Sequence, residues 1–214
     1  MYWLPWRWRG GWLVAALLSS GAVMAAAKAR VLCLHGYGQD GDQFRAKSGS
    51  TRKDCKKSMV EWVFVTSPQR IDPNGGGAGH PSHVGENSGH LWWDFTQEEN
   101  KMCGFDESVA FITKVFEEQG PFDGVVAFSQ GAGFLSLLAA KMQRKELAPA
   151  VHFQFGCLFA GFPPRDPVMR AMMEEQPLTL PTLHVYGSSD QIISSERSQA
   201  VSKTACLCEP ASFS

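Results

Sequence analysis

A chain of 214 residues, 44% hydrophobic and 19% charged, suits one domain with a sizeable core and is too apolar to be disordered as its main state. A formal charge of -1, with no basic cluster beyond Arg45 to Lys57, excludes the electrostatic footprint of a nucleic-acid binder. Six cysteines stand at 33, 55, 103, 157, 206 and 208, and Cys33 and Cys157 fall inside apolar strand runs, which marks buried thiols and not a disulfide framework.

Residues 1–29 read in two ways. Met1 to Arg9 carries four aromatic residues and two arginines, and Trp12 to Ala27 is largely apolar with small residues at its end, as in a secretory signal; the absence of an acid before Asp40 also fits an organellar presequence. Alternatively Met24 is the start, leading directly into the first strand. The cysteine usage favours this second account and a cytoplasmic protein. The apolar run falls short of the ~20 residues that a membrane-spanning helix needs.

Arg30 to Leu34 is the first predicted strand, followed by the glycine-punctuated loop His35 to Gln39. Such a loop can turn a backbone N–H towards a catalytic centre, and Tyr37 is the candidate donor. His35, at a strand exit, is expected to bond to loop backbone. Asp42 to about Lys57 reads as a surface helix and connection, and Glu61 to Thr66 as the second strand. Ser67 to His90 holds prolines, six glycines and three histidines and is predicted to be a loop; His80, His83 and His90 lack a metal-ligand spacing, so no metal or cofactor is expected. The aromatic cluster Leu91 to Phe95 has two readings of equal weight: Trp92 and Trp93 line an acyl pocket, or they anchor the loop to the core.

Asp106 is the expected cap of a helix running to Gln119, stopped by Gly120-Pro121. The strand Gly124 to Phe128 then meets Ser129-Gln130-Gly131 and an apolar helix from Ala132 to Met142. A serine held between a buried strand and a helix sits on a turn too tight for bulky neighbours. Ala127 and Gly131 supply the small residues two positions to either side, so this is the G-x-S-x-G elbow with alanine at its first position. The helix N-terminus beyond Ser129 offers free N–H groups and positive potential where an oxyanion would form. Phe153 to Ala160 is a further strand, Asp166-Pro167 opens a short helix, Pro181 to Tyr186 is another strand with Asp190 just past its end, and Ser194 or Ser195 caps a last helix to about Lys203. Alternating strands and helices imply a parallel sheet with the site outside the strands' carboxyl ends, where Tyr37, Ser129 and Asp190 all fall.

Three segments occur in order: Val31 to Gln39, Pro121-Phe122-Asp123-Gly124 leading to Phe128-Ser129-Gln130-Gly131-Ala132, and Leu183 to Gly187 leading to Asp190. With Trp92-Trp93 they resemble the FSH family of serine hydrolases in the α/β-hydrolase superfamily, particularly its animal esterase branch, over roughly residues 30–200. The resemblance implies an α/β-hydrolase fold and hydrolysis of small-molecule carboxylic esters, including long-chain ones. It also implies roles: Ser129 as nucleophile, Asp190 as triad acid, and the backbone N–H groups of Gln130 and Tyr37 as the oxyanion hole. In that family the triad histidine follows the acid after one further strand, yet none of residues 191–214 is histidine. Loss of one core triad member costs about 10⁶ in kcat by comparison with subtilisin. The expectation is therefore a domain over residues 30–203 lacking its C-terminal strand and helix, an atypical tail over 204–214, an exposed apolar edge at Thr182 to Tyr186, poor solubility and little turnover. A non-catalytic acyl-binding or regulatory pseudo-hydrolase is the alternative, and thioesters or peptides are not distinguished from esters as substrates.

Overall fold

The computed structural model describes residues 28–55, 59–71, 89–96, 101–205 and 208–213; the signal-like segment, His80 and His83 lie outside the described residues. In chain order the elements are β1 (Ala29–Leu34), α1 (Gly41–Lys47), α2 (Gly49–Asp54), β2 (Val60–Val65), β3 (Gln69–Arg70), β4 (His90–Leu91), β5 (Asp94–Thr96), β6 (Lys101–Cys103) and α3 (Phe105–Gln119). They continue with β7 (Gly124–Phe128), α4 (Gln130–Gln143), β8 (Phe155–Phe159), α5 (Pro167–Glu175), β9 (Thr182–Gly187), α6 (Ser195–Ser202) and β10 (Cys208–Phe213).

Six strands form one parallel sheet in the order β10-β9-β8-β7-β1-β2. Side chains alternate across a strand, so each strand feeds two cores. Leu32, Leu34, Val125, Ala127 and Leu158 join Ile112 and Phe116 of α3, the apolar body of α4, Met173 of α5 and Val201 of α6. Val31, Cys33, Val126, Cys157, Leu183 and Val185 share the opposite core with Phe44 of α1 and Cys55. Cys33 and Cys157 are free and buried, as their apolar runs imply. Burial pushes the Cys157 thiol up to about 12 and raises that of Cys33 as well, so both pack as inert apolar groups.

The expectation of a missing final strand is corrected here. Cys208–Phe213 lies parallel to β9 along its whole length, with Cys208 opposite Thr182 and Phe213 opposite Gly187. The Thr182 to Tyr186 strand is therefore not the sheet edge, and residues 208–213 belong to the sheet. Glu209 and Pro210 break the apolar pattern that marks a buried strand, but an edge strand needs hydrogen bonds on one side only and tolerates proline. Among the described residues no helix follows it.

Smaller differences have local causes. The cap of α3 is Gly104, left-handed at φ 76°, and Asp106 lies inside the first turn; Gly104 offers no side-chain oxygen, so the helix is started by backbone geometry. Asp166 caps α5 as expected, with Oδ1 accepting from Val168 N–H at 2.9 Å and Met169 N–H at 3.2 Å. β3 pairs with β4, and β5 with β6, as antiparallel ladders of two and three residues, too short to leave any periodicity in sequence.

Candidate active site

β1 runs to β2 on one side, and the chain then returns to place β7 on the other side of β1. Connections leaving β1 and β7 therefore diverge at the sheet's carboxyl edge, the place where sheets of this kind form a ligand crevice. Ser129 leaves β7 at this crevice, and His35 to Gln39 leaves β1.

Ser129 has φ 52° and ψ -115°, a combination ordinarily open to glycine and costing on the order of 1–3 kcal/mol for another residue. Two main-chain bonds hold it there: its N–H donates to Phe159 O at 2.8 Å, and its carbonyl accepts from Gly133 N–H at 3.1 Å. Its side chain makes no capping bond to α4, so the hydroxyl is not spent on the helix. The turn is tight because α4 starts against β1. A Cβ on Gly131 would collide with the His35 carbonyl oxygen and lie 2.8 Å from that of Leu34. A Cβ on Gly36 would lie 2.8 Å from the Phe128 ring and 3.4 Å from Ser129 Cβ, so the loop carrying Tyr37 passes directly beside the serine. As the first residue of α4, Gln130 has an amide with no acceptor inside the helix.

Asp190 stands three residues past β9, whose line lies two strands from that of β7, ~10 Å at the usual strand spacing. Its Oδ1 accepts from Ile192 N–H at 2.8 Å and Ile193 N–H at 2.9 Å, which fixes the carboxylate on its loop. The sequence-predicted Tyr37, Ser129, Gln130 and Asp190 thus share one edge of the sheet.

Three of the four described histidines are bonded elsewhere, and the fourth, His152, precedes β8 and so stands at the opposite end of the sheet from Ser129. His35 is fully buried; its Nε2 accepts from Ser67 N–H at 3.0 Å, so the proton sits on Nδ1 and is donated to Gly36 O at 2.8 Å. His90 donates from Nδ1 to Ser67 O at 2.7 Å. His184 is buried inside β9, with Nε2 3.1 Å from Thr182 Oγ1. Burial lowers both His35 and His184 to about 4, so both are neutral near pH 7. Among the described residues, no group of three or more His, Cys, Asp or Glu side chains is placed to hold a metal.

Trp92 has no exposed surface. Its ring donates from Nε1 to His35 O at 2.8 Å and stacks on Phe134 with centroids 4.9 Å apart, so it behaves as an anchor to the core. Trp93 is nearly buried, with its ring 6.3 Å from that of Phe162. One contact lay beyond sequence reasoning: the Gln130 side chain bridges two segments of the chain. Its Oε1 accepts from Trp92 N–H at 2.9 Å and its Nε2 donates to Trp93 O at 2.7 Å, tying the start of α4 to the tryptophan segment. No spacing rule signals a bond across 38 positions.

Comparison with known proteins bears on the family and the fold. The zebrafish (Danio rerio) esterase OVCA2 is 34% identical over 191 residues, covering 82% of this chain and 83% of its own. The human esterase OVCA2 is 34% identical over 182 residues, covering 79% of each chain. Among solved structures, acyl-protein thioesterase 2 of Zea mays superposes with a TM-score of 0.58 at 19% identity, over 90% of this chain and 87% of that one. Esterase PE8 gives a TM-score of 0.54 at 20% identity, over 90% and 86%. At such identities these two establish the fold alone, an α/β hydrolase. The sequence profile described as Serine hydrolase (FSH1) matches residues 24–210, and the chain belongs to that family.

Proposed function

We propose that the chain is a carboxylic ester hydrolase working through Ser129. The observation that carries this reading is the backbone of Ser129, a non-glycine residue held at φ 52° on the strand-to-helix turn beside the crevice. In the reaction Ser129 Oγ attacks the ester carbonyl, and the oxygen that gains charge accepts from the N–H groups of Gln130 and Tyr37. The alcohol departs as the carbonyl re-forms, leaving an acyl-serine that water then hydrolyses. Asp190 would orient an imidazole between itself and the serine.

Among the described residues His35, His90 and His184 are bonded to other groups and His152 stands at the sheet's other end, so none of them is the ready acceptor for the serine proton, and slow turnover is the expectation. This favours a second reading, an acyl-binding or regulatory pseudo-hydrolase that keeps the pocket. The esterase names of the relatives support esters as the substrate class.

A fluorophosphonate probe separates the readings. The expected result is slow labelling confined to Ser129 and abolished in Ser129→Ala, with nitrophenyl esters acylating the protein faster than they are turned over. Rapid labelling and steady turnover would reveal a base outside the described residues. Unreactive Ser129 with retained binding of a long-chain ester would leave only the pseudo-hydrolase.

A further inference from the structure

The connection leaving β8 carries chemistry that the serine assignment does not use. β8 lies between β7, which ends at Ser129, and β9, which leads to Asp190, so residues 160–166 emerge between the two. Ala160 turns the chain outward at φ 49°, its N–H donating to Val185 O at 2.8 Å. A Cβ on Gly133 would lie 3.0 Å from both Phe162 O and Trp93 Cη2, and Gly133 is itself bonded to Ser129 O. Phe162 and Trp93 therefore meet α4 at Gly133, one helical turn along the helix from the serine, and their rings, 6.3 Å apart, form an apolar wall there.

Three guanidinium groups gather around this wall. Arg197 Cζ sits 4.7 Å from the centre of the Phe162 ring, and the neighbouring Ser198 Oγ donates to Gly161 O at 3.0 Å, which docks α6 onto the loop. Arg165 leaves the same loop, its Cζ 5.9 Å from the centre of the Phe95 ring. Arg170 reaches back and donates from Nε and Nη2 to Pro164 O at 3.2 and 3.0 Å. Arg197 is partly buried while Arg165 and Arg170 are exposed. Burial first, then repulsion from Arg165 and Arg170, lowers the Arg197 guanidinium below its ordinary range.

Among the described residues, the neighbouring acids Asp166 and Glu196 are hydrogen-bonded to other groups. Asp166 gives Oδ1 to Val168 and Met169 N–H and Oδ2 to Met102 N–H, and Glu196 accepts from Ser195 Oγ. Among the described residues none of the three arginines makes an ion pair. Like charges held close together favour an arriving anion, and planar guanidinium forks match carboxylate and phosphate oxygens.

We propose that Arg165, Arg170 and Arg197 form an anion subsite at the mouth of the Ser129 crevice. The ligand is an ester carrying a second, anionic group, a carboxylate or phosphate, joined by an apolar spacer that lies along Trp93 and Phe162. The choice of an ester rests on the proposed function; the anion preference does not.

Calorimetric titration with the monomethyl half-esters of adipic, suberic and sebacic acids, against the corresponding dimethyl esters, tests the proposal. At least one half-ester is expected to bind about tenfold or more tighter than its diester, as charge-assisted bonds allow, and the preference is expected to shrink with added salt. Arg197→Gln and Arg165→Gln should each reduce the ratio of half-ester to diester affinity. The exposed Arg165 keeps the test decisive should Arg197→Gln impair folding. An ω-phosphate ester of matched length distinguishes the two anion sources. Equal affinity for half-ester and diester, or a preference untouched by both variants, would overturn the subsite. So would binding to anionic vesicles with no half-ester preference, which would make the arginines a surface-docking patch. Fluorophosphonate labelling of the same samples keeps the two readings apart: an unreactive Ser129 with intact half-ester preference removes the catalytic assignment only.

Discussion

Gly131 shows how little room the elbow leaves. Its missing side chain lets the first turn of α4 rest on the carbonyl oxygens of Leu34 and His35, both of which are fixed. Leu34 O belongs to a strand, and the His35 carbonyl accepts from the buried Trp92 ring. A methyl group here has nowhere to go, so Gly131→Ala is expected to destabilise the fold by about 1–3 kcal/mol, the usual range for overpacking. Thermal or urea unfolding measures it, with Gly49→Ala as a control, because a Cβ at Gly49 meets nothing closer than a flexible arginine end at 4.0 Å. Equal stability of the two variants would mean that the elbow is looser than drawn. The same variant should also blunt Ser129 labelling, since the amide of Gln130 moves with the turn.

At the scale of elements, two strands carry buried neutral histidines, His35 at the exit of β1 and His184 within β9. Both are lowered from an ordinary 6.5 to about 4 by burial. The unfolded chain therefore takes up protons first as pH falls, and stability declines from about pH 6.5 and keeps declining until the folded values near 4 are reached. Each group is worth on the order of 3 kcal/mol over that whole window. Urea midpoints between pH 6.5 and 5 isolate the effect, because most carboxylates there remain ionised; His184→Gln should remove about half of the slope. A flat profile would show that these rings gain protons without cost. The elements that hold these histidines were legible in the sequence because their cores are written as apolar runs. So was the tight strand-to-helix turn at Ser129, since Ala127 and Gly131 state its steric demand directly. β3 to β6 were not, because ladders of two or three residues carry no period. Nor was the Gln130 side-chain clamp, a long-range bond that local composition does not encode.

For the molecule as a whole, the consequential difference is the outer edge of the sheet. With β10 in place, the six buried residues of β9 have a neighbour on both sides, β8 and β10. The edge passes instead to a strand containing Pro210, which has no N–H to offer another chain. Removing residues 206–214 would return the edge to Thr182–Gly187, an apolar strand with a full row of unpaired backbone groups. The shortened chain is expected to self-associate through strand pairing, seen as a rise in mass by light scattering after size exclusion, while the 214-residue chain remains unassociated. Pro210→Val restores a donor at the edge and should shift the intact chain partly towards association. If the shortened form stays monodisperse and melts cooperatively at the same temperature, β10 contributes nothing to closing the sheet.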